Sequence, residues 1–281
     1  MLSVRKGILE ESYYTLIASE RDLASMTMLN YLINNRGFEA AEENSNVFES
    51  KIHKNVKLYV SKLELFSLED IDADIHGSKA IIFLSKHESM KKIPTLTCHS
   101  TGNFLDNNYG GNLKELGLCY PSLQKDFINR INNKKSLVPD YEICIEATHH
   151  GPTSLRWPIL FVEIGSSYPQ WTDINAASLV CDTMLEVITL GFRNCAKIGI
   201  GLGGSHYPVK FNKLLLESEY GLATIAARHN LHLIDHIMLK QMSSKSVEKV
   251  THIVVDKKGL GKERRRIMNL VSHFGLEILS V

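Results

Sequence analysis

The 281-residue sequence has no CxxC pair, no apolar run near the roughly 18 residues that span a bilayer, and almost no net charge. Its five cysteines (Cys98, Cys119, Cys144, Cys181, Cys195) are an odd number without metal-ligand spacing, which excludes full intramolecular pairing and a Cys-rich structural zinc site. A reducing compartment fits that usage. The N-terminal stretch MLSVRKGILEESYYTLIAS has acidic residues where a secretory leader needs an apolar centre, so a cytoplasmic protein without a membrane partner is expected. Lys+Arg 32 against Asp+Glu 31 leave +1, so no basic field of the kind that holds DNA surrounds the molecule, and any polyanion must be met by a local patch. GKS, GKT, HExxH and GxSxG are all missing, which removes the P-loop, zincin and serine-hydrolase templates. There is no internal repeat and no Pro/Ser/Gly-rich linker, so one domain over residues 1–281 is expected.

What is present is an ordinary globular composition, 44% hydrophobic and 22% charged, enough to bury a sizeable core. Apolar or alternating runs rich in β-branched and aromatic residues predict strands at YYTLIAS from Tyr13, VKLYVS from Val56, AIIFLS from Ala80 and TLTCHS from Thr95. Further strands are predicted at YEICIEAT from Tyr141, PILFVEIGS from Pro158, AKIGIGLG from Ala196, THIVVD from Thr251 and LEILSV from Leu276. The strongest helical pattern runs from Asp173 to Phe192, with Ala177, Val180, Cys181, Met184, Leu185 and Ile188 on one face; others begin near Asn112, Pro208, Leu231 and Gly261. Strands alternating with helices predict an α/β fold whose sheet is covered on both faces and contains some antiparallel pairing. Residues 37–55 read as a long loop.

Histidines cluster at predicted strand ends: His87 in SKHES, His99 in TCHSTGN, His149 and His150 in EATHHGP, and His206 in GLGGSHYP. A lone histidine after a strand is ordinarily a turn residue, but ligands gather at the carboxyl ends of strands in open α/β sheets, and five imidazoles in four such loops point to one site. If the chain stays extended to His149, that side chain lies opposite Glu146 and Thr148, so His149 and His150 serve different tasks. Glu146 and Glu163 end apolar strands, where a carboxylate needs a cation, a metal or donors; for Glu163 the plain alternative is a buried donor such as Trp157 or Trp171. The Gly-rich turn at Gly201, Gly203 and Gly204 can offer backbone amides to an oxyanion, or simply be a tight turn. Cys98 beside His99 lacks an oriented third member and carries little weight as a nucleophile. The run KERRR, with Lys258, Lys262, Arg264, Arg265 and Arg266, reads either as a solvated helix face or as a track for a nucleic-acid backbone.

Taken in order, SKHES, PTLTCHSTGN, EATHHGPTSL, PILFVEIGSS, QWTD and GIGLGGSHYP resemble the signature segments of the D-aminoacyl-tRNA deacylases of the archaeal and plant type, over about residues 85–208. The resemblance implies an enzyme that hydrolyses the ester between a D-amino acid and the 3′-terminal ribose of tRNA, with zinc as cofactor. It also implies a three-layer α/β/α fold with a mixed central sheet, akin to the phosphorylase and peptidyl-tRNA hydrolase group; we expect a monomer. After Pro208 the sequence departs: a Gly-His-Ile segment followed by Lys-Tyr is typical of the family, where RHNLHLIDHIMLK stands here, and His229 matches only loosely.

Ester hydrolysis needs an activated water, oxyanion stabilisation and a proton donor for the leaving ribose oxygen. On the resemblance, His99, His149 and His206 are the expected zinc ligands or water activators, with Glu146 or Glu163 as a further ligand or base. Catalytic weight then falls on His149, His150, Glu146 and His99. His87, Asn103, Gly203, Gly204 and His206 are expected on the substrate, and Lys258, Lys262 and Arg264–Arg266 on RNA. Two other readings stay open, a metal-dependent amidase or peptidase of related fold and a tRNA-binding module without catalysis; clustered histidines weigh against the second, since backbone binding uses Lys and Arg.

Overall fold

A computed structural model describes residues 12–71 and 75–281. The reading of residues 1–11 as lacking a leader falls outside the described residues. The apolar runs form eight strands of one mixed sheet: β1 (Tyr13–Ser19), β2 (Phe38–Ala40), β3 (Val47–Ser50), β4 (Val56–Ser61), β5 (Ser78–Glu88), β6 (Thr95–His99), β7 (Glu142–Ile145) and β8 (Ile159–Ser166). Their order is β2-β3-β4-β1-β5-β8-β6-β7. β5 and β8 are parallel, whereas β6 runs antiparallel to β8.

The expected mixed α/β sheet is therefore there, but three of the expected strands stand apart from it, joined by a fourth that was not expected. β9 (Lys197–Leu202), β10 (Tyr220–Ala226), β11 (His252–Val255) and β12 (Glu277–Ser280) form a second, all-parallel sheet in the order β10-β9-β11-β12. Three other expectations are corrected. Residues 37–55 hold the short antiparallel pair β2 and β3, too brief for period-2 alternation to register. The helix expected near Asn112 begins only at Pro121, whose fixed φ and missing N–H suit a first helical turn. YGLATIA, which forms β10, carries Gly and Ala in place of the β-branched residues that mark a strand.

Seven helices complete the described chain: α1 (Leu23–Arg36), α2 (Pro121–Asn133), α3 (Tyr168–Trp171), α4 (Ile174–Leu190), α5 (Val209–Glu217), α6 (His236–Ser244) and α7 (Arg264–Ser272). Among the described residues no helix is long and apolar enough to cross a membrane. The largest core joins α1, α2 and α4 to one face of the first sheet through Leu16 and Ala18, Ile82 and Leu84, Leu96 and Cys98, and Leu160, Val162 and Ile164. Every second residue of these strands must then emerge on the opposite face. There Ile17, Ile81, Phe83, Ile159 and Phe161 make a smaller core, with Phe83 and Phe161 stacked at 4.6 Å.

Helix α4 begins where the sequence places it. Asp173 Oδ1 accepts from the Asn175 and Ala176 amides, and Asp173 Oδ2 accepts from the Tyr141 hydroxyl at 2.8 Å. We predict that Asp173→Ala lowers the unfolding free energy by about 1–3 kcal/mol, the range for a lost N-cap plus a charge-assisted hydrogen bond. A urea titration checks it: an unchanged midpoint would mean that this cap carries no weight.

Candidate active site

Strand alternation carries the site. Because Leu84, Val162, Leu96 and Cys98 point to the helices, His87, Glu163, Thr97 and His99 share the other face. Ser85, Glu163 and Thr97 lie abreast on β5, β8 and β6. Opposite His87 stands Gly165, where a Cβ would come within 2.6 Å of His87 Cβ, so glycine leaves room for the ring. The groups do not lie off one carboxyl edge, as expected, because β6 is antiparallel to β8; they converge across the sheet's face.

The stretch EATHHGP crosses from this face to the second sheet. The Ala147 amide donates to His206 O and the Thr148 amide to Ile225 O. β7 ends at Ile145, so alternation stops, and His149 Nε2 lies 3.8 Å from Glu146 Oε2 rather than on the opposite face. His150 has φ 42°, a left-handed conformation that turns its ring back toward His99, with centroids 4.8 Å apart. Beyond it the Gly151–Pro152 bond is cis. The turn is braced by Gly151 N donating to Tyr109 O, by Thr101 Oγ1 donating to Pro152 O at 2.6 Å, and by the Thr153 and Ser154 amides donating to the Glu69 carboxylate.

Three imidazoles are set in one tautomer. The Nδ1 atoms of His99, His149 and His150 face the carbonyls of Ser100, Ala147 and Gly151 at 3.1, 2.9 and 2.6 Å, so each Nδ1–H donates and each Nε2 keeps a free lone pair. Ligand atoms of His99, His149 and His150 lie within 4.8 Å of one another, as do those of Glu146, His149 and His206 and those of His87, Glu146 and Glu163. His99 Nε2 is buried without a hydrogen-bond partner, and Glu146 Oε1 is met only by the His87 ring. Lone pairs and carboxylate oxygens left open in a dry site fit a divalent cation of the kind that takes imidazole. His87 is different: Nε2 meets the Tyr207 hydroxyl at 2.7 Å, while Nδ1 lies 3.1 Å from Glu146 Oε1 and 3.5 Å from Glu163 Oε2. Both of its nitrogens are occupied, as an imidazolium requires.

The charges follow. Burial alone would raise both carboxylates, but His206 and His87 hold Glu146 well below its usual range, and His87 and His99 bring Glu163 to about 2. Burial alone would lower His87, but Glu146 and Glu163 outweigh it and push it up to about 10. These are one interaction seen from its two sides. Burial and neighbouring imidazoles depress His149, and burial with His99 depresses His150 to about 4, so both are neutral at pH 7.

A cleft of about 790 Å³ opens onto these groups and is lined by His87, Asn103, Glu146, His149, His150, Glu163 and His206. His99 lies fully buried beneath it. Of the expected ligands His99, His149, His206 and Glu163, His99 and His149 stand together with His150, which its backward turn brings in, while His206 stands with His149 and Glu146, its Nε2 2.6 Å from Glu146 Oε2. Asn103 uses Nδ2 to hold the Gly110 and Asn112 carbonyls. Gly203 and Gly204 are outside the cleft lining: at φ 108° and 80° they form a tight turn against residues 256–259, and the Gly203 amide is taken by Ala226 O. Trp171 Nε1 donates to His87 O, not to Glu163. Cys98 is buried, its thiol raised well above the usual value by desolvation.

Lys258, Lys262, Arg264 and Arg265 are exposed. Arg266 is exposed as well, and also donates to the Leu231 and Ile234 carbonyls and to Glu263. Sequence reasoning passed over Tyr207, Phe66, Tyr109 and Asn230, which all line the cleft. Only Tyr207, next to His206, carried a local signal.

A family model described as D-aminoacyl-tRNA deacylase matches residues 75–279. A D-aminoacyl-tRNA deacylase of Cenarchaeum symbiosum is 36% identical over 199 residues, 71% of this chain and 76% of the relative. One from Pyrococcus furiosus is 31% identical over 273 residues, 94% and 98% of the two chains. A crystal structure of a conserved protein of unknown function has the same fold, with TM-score 0.87 and 24% identity over 96% of this chain and 95% of that one.

The His87 assignment has a measurable consequence. In metal-free protein the folded-state pKa lies above the ordinary 6.5, so the stabilisation from the imidazolium is complete below about pH 6.5 and is lost as pH rises through about 10. We predict that NMR titration of the His87 ring gives a midpoint near 10, and that Glu146→Gln moves it below about pH 9 by removing one counter-charge. A wild-type midpoint near 6.5 would show that the carboxylates do not hold the proton.

Proposed function

The chain belongs to the D-aminoacyl-tRNA deacylase family, and we propose that its histidine-lined cleft hydrolyses the ester joining a D-amino acid to the 3′-terminal ribose of tRNA. The observation that carries this reading is the set of three clustered imidazoles whose Nδ1 atoms face carbonyls and whose Nε2 atoms face one another's neighbourhood, beside two buried carboxylates, in a cleft of a size that takes the acylated 3′ end of an RNA.

His99, His149 and His150 are the residues we assign to a zinc ion, with Glu163, whose Oε1 is 3.6 Å from His99 Nε2, as the adjoining carboxylate. Zinc at such a site supplies Lewis acidity toward water and an ester carbonyl. The protein's own groups do the rest. Glu146, buried between His87 and His206, accepts the proton of the attacking water. The His87 imidazolium stabilises the negative charge that develops on the carbonyl oxygen. His206, half-buried and bonded to Glu146 Oε2, returns a proton to the departing ribose oxygen, so that the products are the free amino acid and an RNA 3′ end. The exposed Lys258, Lys262, Arg264 and Arg265 form a basic surface for the tRNA backbone beside the 228–233 turn, whose His229 and Asn230 line the cleft. A monomer in the cytoplasm suffices for all of this.

The test is hydrolysis of D- against L-aminoacyl-tRNA and of peptide amides. Turnover of the D-ester is expected, exhaustive chelation should abolish it with the fold intact, and zinc should restore it; full activity in metal-free protein, or preference for amides, would sink the proposal. His149→Ala and His150→Ala should each slow single-turnover hydrolysis by at least roughly 100-fold and lower zinc occupancy. Replacing Arg264 and Arg265 by Ala should flatten the salt dependence of tRNA binding by close to one log unit per lost phosphate contact. An unchanged slope would return that helix face to plain solvation.

A further inference from the structure

The aromatic edge of the cleft has no part in the chemistry above. Phe66 and Tyr109 both line the cleft, their rings meet edge to face with centroids 6.1 Å apart, and the Phe66 ring lies 6.5 Å from that of His150. Tyr109 is 67% exposed and Leu105, on the same loop, 48%. Large exposed apolar groups gathered at the mouth of a cleft are a surface whose covering is favourable.

The backbone carrying these rings is locked to the double-histidine turn. Gly151 N donates to Tyr109 O at 2.9 Å. At Gly110, whose φ of +69° favours glycine, a Cβ would lie 1.8 Å from Phe66 O, and a Cβ on Gly151 would lie 2.6 Å from that same oxygen. Residues 66, 109–111 and 150–152 are therefore in backbone contact, and the rings keep a fixed distance from the imidazoles.

We propose that Tyr109 and Phe66 form a stacking platform for the terminal nucleobase of the aminoacyl-tRNA, holding its ribose ester over the histidines. The inference rests on the hydrolase reading. A tRNA is far larger than the cleft, so it enters by its 3′ end with the acyl group foremost, and the base on the same ribose is the flat apolar group left at the mouth. Phosphates gain nothing from a tyrosine and a phenylalanine, whereas every base has a face to stack. The amino-acid side chain, on the far side of the ester, belongs deeper.

The probe is a non-acylated trinucleotide whose 3′-terminal base is 2-aminopurine, fluorescent when unstacked. Wild-type protein should quench it. Tyr109→Ala should weaken its binding by about 5- to 30-fold with loss of quenching, and Tyr109→Phe should stay within about twofold, because the ring and not the hydroxyl makes the contact. In D-aminoacyl-tRNA hydrolysis Tyr109→Ala should raise KM with little change in kcat, and a substrate with an abasic 3′-terminal residue should lose the same factor on wild type and nothing more on the variant. Unchanged quenching and affinity in both Tyr109→Ala and Phe66→Leu would overturn the platform, as would a KM defect that follows the amino-acid side chain instead of the base. Wild-type inactivity on D-aminoacyl-tRNA would sink the hydrolase reading instead, and the platform would stand or fall on the trinucleotide alone.

Discussion

Two carboxylates, Glu146 and Glu163, lie 1% and 4% exposed, and a charge so far from water must be met by positive partners. That requirement organises the site. His87 meets it as an imidazolium between them, with Tyr207 on its other nitrogen. With one cation already present, His149 and His150 are held neutral by burial and by their neighbours, and neutral imidazole is the form that binds metal. The buried carboxylates and the desolvation around them thus separate the histidines: His87 and His99, beside the carboxylates, are pushed toward the charged form, and His149 and His150 toward the neutral one.

The second constraint is the seam between the two sheets. The 146–148 segment donates its amides to His206 O and Ile225 O, so Glu146 reaches its partner His206 only because the two sheets meet there. Gly203 belongs to this seam: its turn lies against Asp256 and passes the chain on to His206. Cleft-lining groups therefore come from both sheets, while the brace by Glu69, Asn103 and Thr101 keeps the intervening turn in place. Rigidity of this kind matters to catalysis because small displacements of a reacting group cost rate.

Much of this was legible in the chain. Asp173 and the apolar stripe from Ala177 to Ile188 marked α4 because a cap and a 3.6-residue period are local properties. The segments with His99 and Glu163 read as strands and His87 as the loop after one, but that all three share one face follows from the strand pairing. The regrouping of His150 with His99 and His149 could not be read, since it depends on a left-handed residue at a position where the sequence shows histidine rather than glycine. Nor could the division into two sheets, because strand-sized apolar runs do not state their partners, or the antiparallel course of β6 beside β8. Phe66 and Tyr109 sit in segments with no chemical signature, and only the folded chain brings their rings to the cleft.

The divergent segment after Pro208 shows how structure can preserve what sequence obscures. RHNLHLIDHIMLK lacks the pattern typical of the family, yet His229 and Asn230 line the cleft from a short 3-10 turn at Arg228–Leu233. That turn is gripped at both ends: the Arg228 amide donates to Gly204 O and its guanidinium to Gly259 O, while Arg266 reaches from α7 to the Leu231 and Ile234 carbonyls. A fork of donors aimed at main-chain carbonyls fixes the path of the backbone and is indifferent to the side chains along it. The basic run KERRR is thus divided by its bonds: Arg264, Arg265 and Arg266 are all exposed, but Arg266 also clamps the turn that carries His229 and Asn230 to the cleft.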